Sequence, residues 1–250
     1  MLRRVLRAEL LKLRRTLAFW MVPAAPFVVL LLSFLMFHQR SEYFAKSGKP
    51  LWENLQRNSF VLWAVLMMPL YITLQTALLA GLEHSGERWR NLLALPVRRW
   101  TLYVVKLAIP CAMVFASSAI LNFGVLLSGV LLTNLKPELR FPSPLPWAQA
   151  WDYTFLSFTA SLLVIAIQQW VSLRFATFAA SAGFGICCTV AGSILANSQK
   201  YGPWWPWCLP VQLMTGKPEP IAHALWYSCL GGLIAAVLGG VEFCRREIRG

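Results

Sequence analysis

Long stretches without a charged residue alternate with short charged segments along the chain. Each of the six stretches has more than 20 residues; they cover residues 17–37, 58–82, 107–135, 153–173, 175–199 and 220–241. An α-helix of about 20 apolar residues, rising about 1.5 Å per residue, crosses a hydrocarbon core of about 30 Å. The pattern therefore predicts one all-α transmembrane domain over residues 1–250. Its six spans are expected at about residues 17–37, 59–82, 104–133, 152–173, 175–197 and 221–243.

A single charge, Arg174, separates the fourth stretch from the fifth. A tight helical hairpin with Arg174 at the membrane interface fits this spacing, and one long bent helix is the alternative.

The composition supports a membrane class and changes how the charge is interpreted. Hydrophobic residues make up 58% of the chain and charged residues 13%, whereas soluble domains carry about 25% charged residues. These figures exclude a soluble globular domain, a disordered chain, collagen and a secreted disulfide scaffold. A net charge of +13 would indicate nucleic-acid binding in a soluble protein. Here the charge indicates membrane orientation, and we expect no nucleic acid as a partner.

The basic residues are unevenly divided between the two sides of the predicted spans. With a cytoplasmic N-terminus, 15 of the 23 Lys and Arg residues lie inside and 8 lie outside. Because cytoplasmic flanks carry the excess of Lys and Arg, both termini are predicted to be cytoplasmic.

The first 16 residues have the pattern of a basic amphipathic helix. Their apolar residues follow the i, i+3, i+4 spacing of one helix face: Leu2, Val5, Leu6, Leu10 and Leu13. The predicted membrane-interface residues are Arg3, Arg4, Arg7, Lys12, Arg14 and Arg15. Such a helix lies along an anionic leaflet, so membrane lipids are expected partners. The alternative is a charged flank that only fixes topology.

The segment between the second and third spans predicts a short amphipathic helix. Ser85 fits the N-cap, Glu87 lies in the first turn, and Pro96 ends the helix. The apolar residues of one face are Trp89, Leu92 and Leu93. Its charges alternate in sign, which membrane attraction explains poorly. We therefore expect a docking surface for a cytoplasmic partner, and an ordinary interfacial helix is the alternative.

Residues 201–210 combine three Trp with three Pro before the sixth span. Trp favours the membrane interface and Pro prevents a straight helix, so a broken or re-entrant external segment is predicted. A gate or lateral exit and an aromatic belt are its two interpretations. The candidate pathway or gate residues are Gln75, Asn122, Gln168, Gln169, Trp204, Trp205 and Trp207. The four amides have a second interpretation, as partners in hydrogen bonds between helices.

Small residues recur at every fourth position in two spans. The ridges are Ala179, Gly183, Cys187 and Ala191 in the fifth span, and Gly232, Ala236 and Gly240 in the sixth. Such ridges let helices approach closely, within one chain or between subunits.

Several kinds of chemistry are missing from the sequence. No acidic or basic residue lies deep in a predicted span, which disfavours an ion-coupled transporter. His38, His84 and His223 are divided between the two sides, and no P-loop motif occurs. We therefore expect no catalytic, cofactor-binding or metal-binding residue in this chain. Any uphill transport would draw its energy from another polypeptide.

The layout resembles an ABC-2-type permease, the membrane subunit of a bacterial ABC transporter. Residues 8–16 (AELLKLRRT) are similar to the family's approach to the first span, and residues 86–99 (GERWRNLLALPVRR) resemble its segment between spans two and three. The size and the KLRRT sequence look most like the subgroup for lantibiotic or bacitracin immunity, which exports peptide antibiotics.

The resemblance implies an ABC-2 (type V exporter-like) fold in the bacterial inner membrane, with a connecting helix at the N-terminus. Residues 85–95 would form a coupling helix on a separate ATPase that binds ATP and Mg²⁺. The implied ATPase-coupling residues are Glu83, Glu87, Arg88, Trp89, Arg90, Leu92, Leu93, Arg98 and Arg99. A second permease subunit, identical or not, would complete the pathway. The alternative function is a non-transporting membrane anchor or scaffold of a multiprotein complex.

Overall fold

A computed structural model gives the structure of the chain. It describes residues 6, 9, 11–13, 16–46, 48, 50–84, 99–136, 138–139, 141–175, 177–215 and 218–245, leaving aside the side chains of residues 83, 84, 215 and 218–220.

Nine α-helices and no strand make up the regular structure of the described residues. The helices are α1 (Leu17–Gln39), α2 (Ser41–Lys46), α3 (Leu51–Leu62), α4 (Met68–His84), α5 (Arg99–Leu135), α6 (Trp147–Arg174), α7 (Phe178–Leu195), α8 (Leu209–Thr215) and α9 (Pro218–Arg245). A π-helical turn at Trp63–Met67 joins α3 to α4, and two 3₁₀ turns, Gly202–Trp204 and Pro206–Cys208, precede α8.

Six helical stretches within the described ranges are long and apolar enough to cross a membrane. They are Leu17–Gln39, Leu51–Leu82, Arg99–Leu135, Trp147–Arg174, Phe178–Leu195 and Ile221–Arg245. The prediction of six spans is confirmed. Because successive spans cross in opposite directions, the ends near Leu17, Leu82, Arg99, Arg174, Phe178 and Arg245 share one side of the bundle. We call this side the Arg174 end and the opposite side the Trp204 end.

The helices α6 and α9 run parallel in close contact. A Cβ on Gly232 would lie 3.2 Å from the backbone of Leu162 and Leu163, and the Ser228 hydroxyl donates to the Thr159 carbonyl at 2.8 Å. Small residues let helices approach closely in lipid, where dispersion contacts and hydrogen bonds drive their association. The small-residue ridge of the sixth span therefore packs within the chain.

The helices α6 and α7 form the predicted hairpin. The backbone leaves the helix at Phe175 and resumes it at Phe178, with Thr177 extended at φ −99° and ψ 133°. At the turn, the Arg174 guanidinium donates to Glu242 of α9 at 2.8 Å. One long bent helix is therefore excluded.

Some helices begin before the charge-free stretches do. The second span starts at Leu51 because Trp52, Leu55 and Gln56 are buried on one face of α3, whereas Glu53 and Arg57 are exposed on the other. The third span starts at Arg99, five residues before its predicted start, and Lys106, which directly precedes the charge-free stretch, lies within the helix.

Candidate functional site: polar groups between the spans

The predicted ATPase-coupling segment joins α4 to α5. Glu83 lies in the last turn of α4, and Arg99 is the first residue of α5. The Arg99 guanidinium donates to the Cys244 carbonyl at 3.2 Å, which links the start of α5 to the end of α9. Seven of the predicted coupling residues lie outside the described residues: Glu87, Arg88, Trp89, Arg90, Leu92, Leu93 and Arg98.

The N-terminal segment contacts the spans through its predicted apolar face. Leu13 is buried, and Leu6 packs with it against Val105, Ile109 and Met113 of α5. Residues 6, 9 and 11–13 of this segment have helical backbone, whereas Thr16 is extended and precedes the first turn of α1. Of the predicted interface residues, Lys12 is exposed, whereas Arg3, Arg4, Arg7, Arg14 and Arg15 lie outside the described residues.

A small cavity lies where this segment meets the Arg174 end of the bundle. Its volume is about 70 Å³, and its polar lining comprises Glu9, Lys12, Lys106 and Gln169. The Lys12 ammonium donates to the Glu9 carboxylate at 2.6 Å, and Lys106 is buried at 6% exposure. The cavity thus brings residues of the N-terminal segment together with α5 and α6.

Gln168 connects α6 to α7 inside the bundle. Its amide nitrogen donates to the Ser181 carbonyl at 2.9 Å, and the hydroxyls of Ser172 and Ser181 lie 2.6 Å apart. Thr73 of α4 packs against Gly185 of α7. A hydrogen bond between helices, the second interpretation of this amide, is what the structure shows for Gln168.

A second polar cluster joins α1, α4 and α5. The Ser117 hydroxyl lies 2.9 Å from the Val22 carbonyl and 3.0 Å from the Tyr71 hydroxyl. Gln75 lies one helical turn from Tyr71 and next to its hydroxyl. Asn122, further along α5, is fully buried and makes no hydrogen bond among the described residues.

The Trp-rich segment folds back along α7 at the Trp204 end. The Trp205 indole donates to the Cys188 carbonyl at 3.2 Å, and the Cys208 thiol donates to the Gly192 carbonyl at 3.1 Å. Cys188 is two turns before the end of α7, so Trp205 reaches about 10 Å along the helix. Trp207 is buried, whereas Trp204 is 62% exposed. As predicted, the segment is therefore not one continuous helix. It packs along α7 towards the middle of that span.

A groove between α6 and α9 opens at the same end. Its volume is about 740 Å³, and its lining is mainly apolar. The lining residues of the two helices share the i, i+3, i+4, i+7 spacing: Asp152, Phe155, Leu156 and Thr159 on α6, and Ala222, Leu225, Trp226 and Cys229 on α9.

The cavity at the Arg174 end was missed by sequence reasoning. Lys106 directly precedes the charge-free stretch at 107–135 and lies near the start of the predicted third span, so in the sequence it counts only as one of the basic residues that set the orientation. The 102, 105, 109 spacing of apolar residues before and after Lys106 was the available signal, because it continues the helix through this position. Among the described residues, no group of three or more His, Cys, Asp or Glu side chains could hold a metal ion.

Comparison with known proteins assigns the family. The sequence model of the family described as ABC-2 family transporter protein matches residues 5–192, about three quarters of the chain. The chain belongs to this family and is a multi-pass membrane protein, a permease component of an ABC transporter that has an ATPase partner. Family members are generally non-catalytic membrane components. No curated protein and no solved structure matches the chain.

Proposed function

We propose that this chain is the permease subunit of an ATP-driven exporter and that residues 85–95 receive the movement of a separate ATPase. The family assignment is the observation that carries this proposal. ATP and Mg²⁺ would bind to the partner, and this chain would contribute no catalytic residue. The alternative is a non-transporting membrane anchor that holds a complex together.

The helices that flank the proposed coupling segment support this role. The helices α4 and α5 both adjoin the segment at the Arg174 end. The hydroxyls of Tyr71 on α4 and Ser117 on α5 form a hydrogen bond between them. Arg99 also contacts the end of α9. A displacement of the segment would therefore act on three spans, because each is connected to it directly or through one side-chain contact.

The excess of basic residues supports a cytoplasmic Arg174 end, with both termini on the cytoplasmic side of the bacterial inner membrane. The Trp204 end would then be external. There, Trp204, Trp205, Trp207 and the groove between α6 and α9 would form a gate beside the outer leaflet. Gln75, Asn122, Gln168 and Gln169 would contribute polar groups near the pathway.

A second permease subunit would complete the pathway. The ridge of the fifth span faces away from the rest of the chain: Ala179 and Cys187 are exposed, and a Cβ on Gly183 would meet no atom within 4 Å. The opposite face of α7, with Ser181 and Gly185, packs inside. We propose that the outward ridge contacts the second subunit. Peptide antibiotics are the substrate class that the sequence resemblance favours.

The decisive experiment measures ATP hydrolysis by the complex purified from native membranes and reconstituted in nanodiscs. We expect an ABC ATPase to co-purify and its hydrolysis rate to change when the permease is present. The double reversal Glu87→Arg/Arg90→Glu should lower the coupled rate at least tenfold, because losing paired charges at an interface costs about 2 kcal/mol or more.

The matched control is the double reversal Glu42→Lys/Lys46→Glu on α2. This exposed pair, 3.7 Å apart, lies at the Trp204 end, so its reversal should leave the coupled rate unchanged. Unchanged assembly and hydrolysis in the Glu87/Arg90 variant would contradict the coupling role. A complex with no effect of the permease on ATP hydrolysis and no transport in vesicles would favour the membrane anchor.

A further inference from the structure

The cavity between the N-terminal segment and α5 combines two ammonium groups with two hydrogen-bond acceptors. Lys106 and Gln169 are 6% and 2% exposed, and both line the cavity beside Glu9 and Lys12. Glu9 attracts Lys106 electrostatically and Lys12 repels it. The Gln169 side-chain oxygen is buried and makes no hydrogen bond among the described residues. These four side chains carry a net charge of +1.

Such an arrangement is costly unless charges and hydrogen bonds are satisfied. A ligand with an anionic and a cationic group would complement it, because the lysines would bind the anion while Glu9 and the Gln169 oxygen would accept hydrogen bonds from the cation. The ligand would have to donate those hydrogen bonds, so a primary ammonium fits and a quaternary ammonium does not.

The surroundings of the cavity are those of a lipid headgroup. Lys106 is seven residues into α5, about 10 Å from the start of that helix, and Leu13 of the N-terminal segment adjoins the cavity. Apolar residues Leu79, Ile109 and Leu173 complete the lining. A volume of about 70 Å³ holds roughly five to seven water-sized groups, which is close to a phosphate with an ethanolamine.

We propose that this cavity binds the phosphoethanolamine headgroup of an aminophospholipid from the adjacent leaflet. Lys106 and Lys12 bind the phosphate, and Glu9 and Gln169 accept hydrogen bonds from the ammonium. The bound lipid joins the N-terminal segment to α5 and α6. Lipid binding in this cavity does not depend on which substrate is transported or on the ATPase contact.

Native mass spectrometry of the full chain in detergent tests this assignment. Phosphatidylethanolamine, phosphatidylcholine and phosphatidylglycerol with identical acyl chains are titrated separately. We expect one tight site for phosphatidylethanolamine, with an affinity about tenfold above that for either other lipid, because neither of the other headgroups donates a charge-assisted hydrogen bond to Glu9. Equal affinity for phosphatidylcholine would overturn the proposal, because its ammonium donates no hydrogen bond.

Variants separate the two halves of the headgroup. Glu9→Gln should remove the preference for phosphatidylethanolamine over phosphatidylglycerol, and Lys106→Gln should weaken both about tenfold. Gln169→Leu, which keeps the side-chain volume, provides a second measurement if Lys106→Gln fails to fold, and it should also lower the ethanolamine preference. Lys46→Gln, at the Trp204 end, is the control that should change nothing.

Competition identifies the source of the phosphate. Inorganic phosphate at millimolar concentration should displace little phosphatidylethanolamine, because it lacks both the amine and the acyl chains. Complete displacement would show a site for free phosphate and overturn the lipid assignment. Lipid binding that is the same in all three cavity variants would show that the cavity contains only an internal ion-pair network.

Discussion

Gly185 is the residue on which the contact between α4 and α7 depends. A Cβ at this position would overlap the side chain of Thr73 and approach the Gln168 amide nitrogen to 2.9 Å. Thr73 is β-branched and fully buried, so it has little freedom to move away. We expect Gly185→Ala to destabilise the chain by about 1–3 kcal/mol, as overpacking of a close-packed core does. Reversible unfolding in mixed detergent micelles measures this change.

The matched control is Gly81→Ala on α4. A Cβ there would meet no atom within 4 Å. Since Ala favours a helix over Gly by about 0.5–1 kcal/mol, this variant should be neutral or slightly more stable. Equal stability of the two variants would mean that α4 and α7 are further apart than the structure shows.

We expect the Cys208 thiol to be alkylated more slowly than any other thiol at the Trp204 end. It is fully buried, and burial raises the pKa of its thiol to about 11 from an ordinary value of 9.0. Because a raised pKa lowers the thiolate fraction at any pH below it, alkylation at pH 8 should be about a hundredfold slower than for an ordinary thiol.

Peptide mapping after timed alkylation measures the Cys208 rate, and SDS-unfolded protein provides the reference. In the folded chain, the rate should continue to rise towards pH 11, whereas in the unfolded chain it should level off near pH 9. Fast modification of the folded chain at pH 8 would contradict the buried thiol–carbonyl contact with Gly192.

At the scale of elements, Glu242 fastens α9 to α6 at the Arg174 end. Its two carboxylate oxygens accept from the Trp170 indole at 2.6 Å and the Arg174 guanidinium at 2.8 Å. We expect Glu242→Ala to destabilise the chain by about 1.5–3 kcal/mol, because hydrogen bonds to a charged group are lost. Glu242→Gln should cost less, since its amide oxygen still accepts from Trp170.

A double-mutant cycle with Arg174→Gln isolates the ion pair. We expect a coupling energy of about 0.5–1 kcal/mol, because Arg174 is half exposed and exposed pairs are weak. Glu42→Gln at the exposed Glu42–Lys46 pair is the control and should be close to neutral. A coupling energy of zero between Arg174 and Glu242 would mean that Glu242 stabilises the chain through its hydrogen bond with Trp170.

The number of spans could be predicted from the sequence, whereas their ends could not. A charge-free stretch marks where a helix crosses hydrocarbon, but a helix continues into the headgroup region wherever one face stays apolar. Glu53 and Arg57 precede the charge-free stretch at 58–82, yet the helix extends back past both of them because they lie on the exposed face of α3. Lys106 also directly precedes a charge-free stretch, but its side chain is buried against the N-terminal segment instead of exposed.

Candidate polar residues could be predicted, whereas their partners could not. A Gln in an apolar stretch stands out in the sequence, so Gln168 was identifiable. Its partner is the backbone carbonyl of Ser181, which every residue possesses. Which carbonyl it bonds follows from the turn between α6 and α7, and that geometry is set by tertiary packing.

At the scale of the whole molecule, the two small-residue ridges have different environments. The ridge of α9 is covered by α6 and by Trp100 of α5, because Gly232 and Gly240 pack against them. The ridge of α7 faces outward and carries Cys187, an exposed free thiol. In lipid, an outward ridge of small residues favours close approach of another helix. The structure thus distinguishes one ridge that is used within the chain from one that is available to another subunit.

We expect Cys187 to cross-link two chains in native membranes if the second permease subunit is identical. A two-fold axis along the α7 ridge places the two Cys187 residues close together, because an isologous interface brings each axial residue against its own copy. Mild oxidation followed by non-reducing electrophoresis should give a dimer that Cys187→Ser abolishes. Cys229→Ser is the control, since Cys229 is also exposed but lies on α9 in the groove facing α6. A dimer that requires Cys229 instead would place the interface at that groove, and a different chain captured through Cys187 would make the permease a heterodimer.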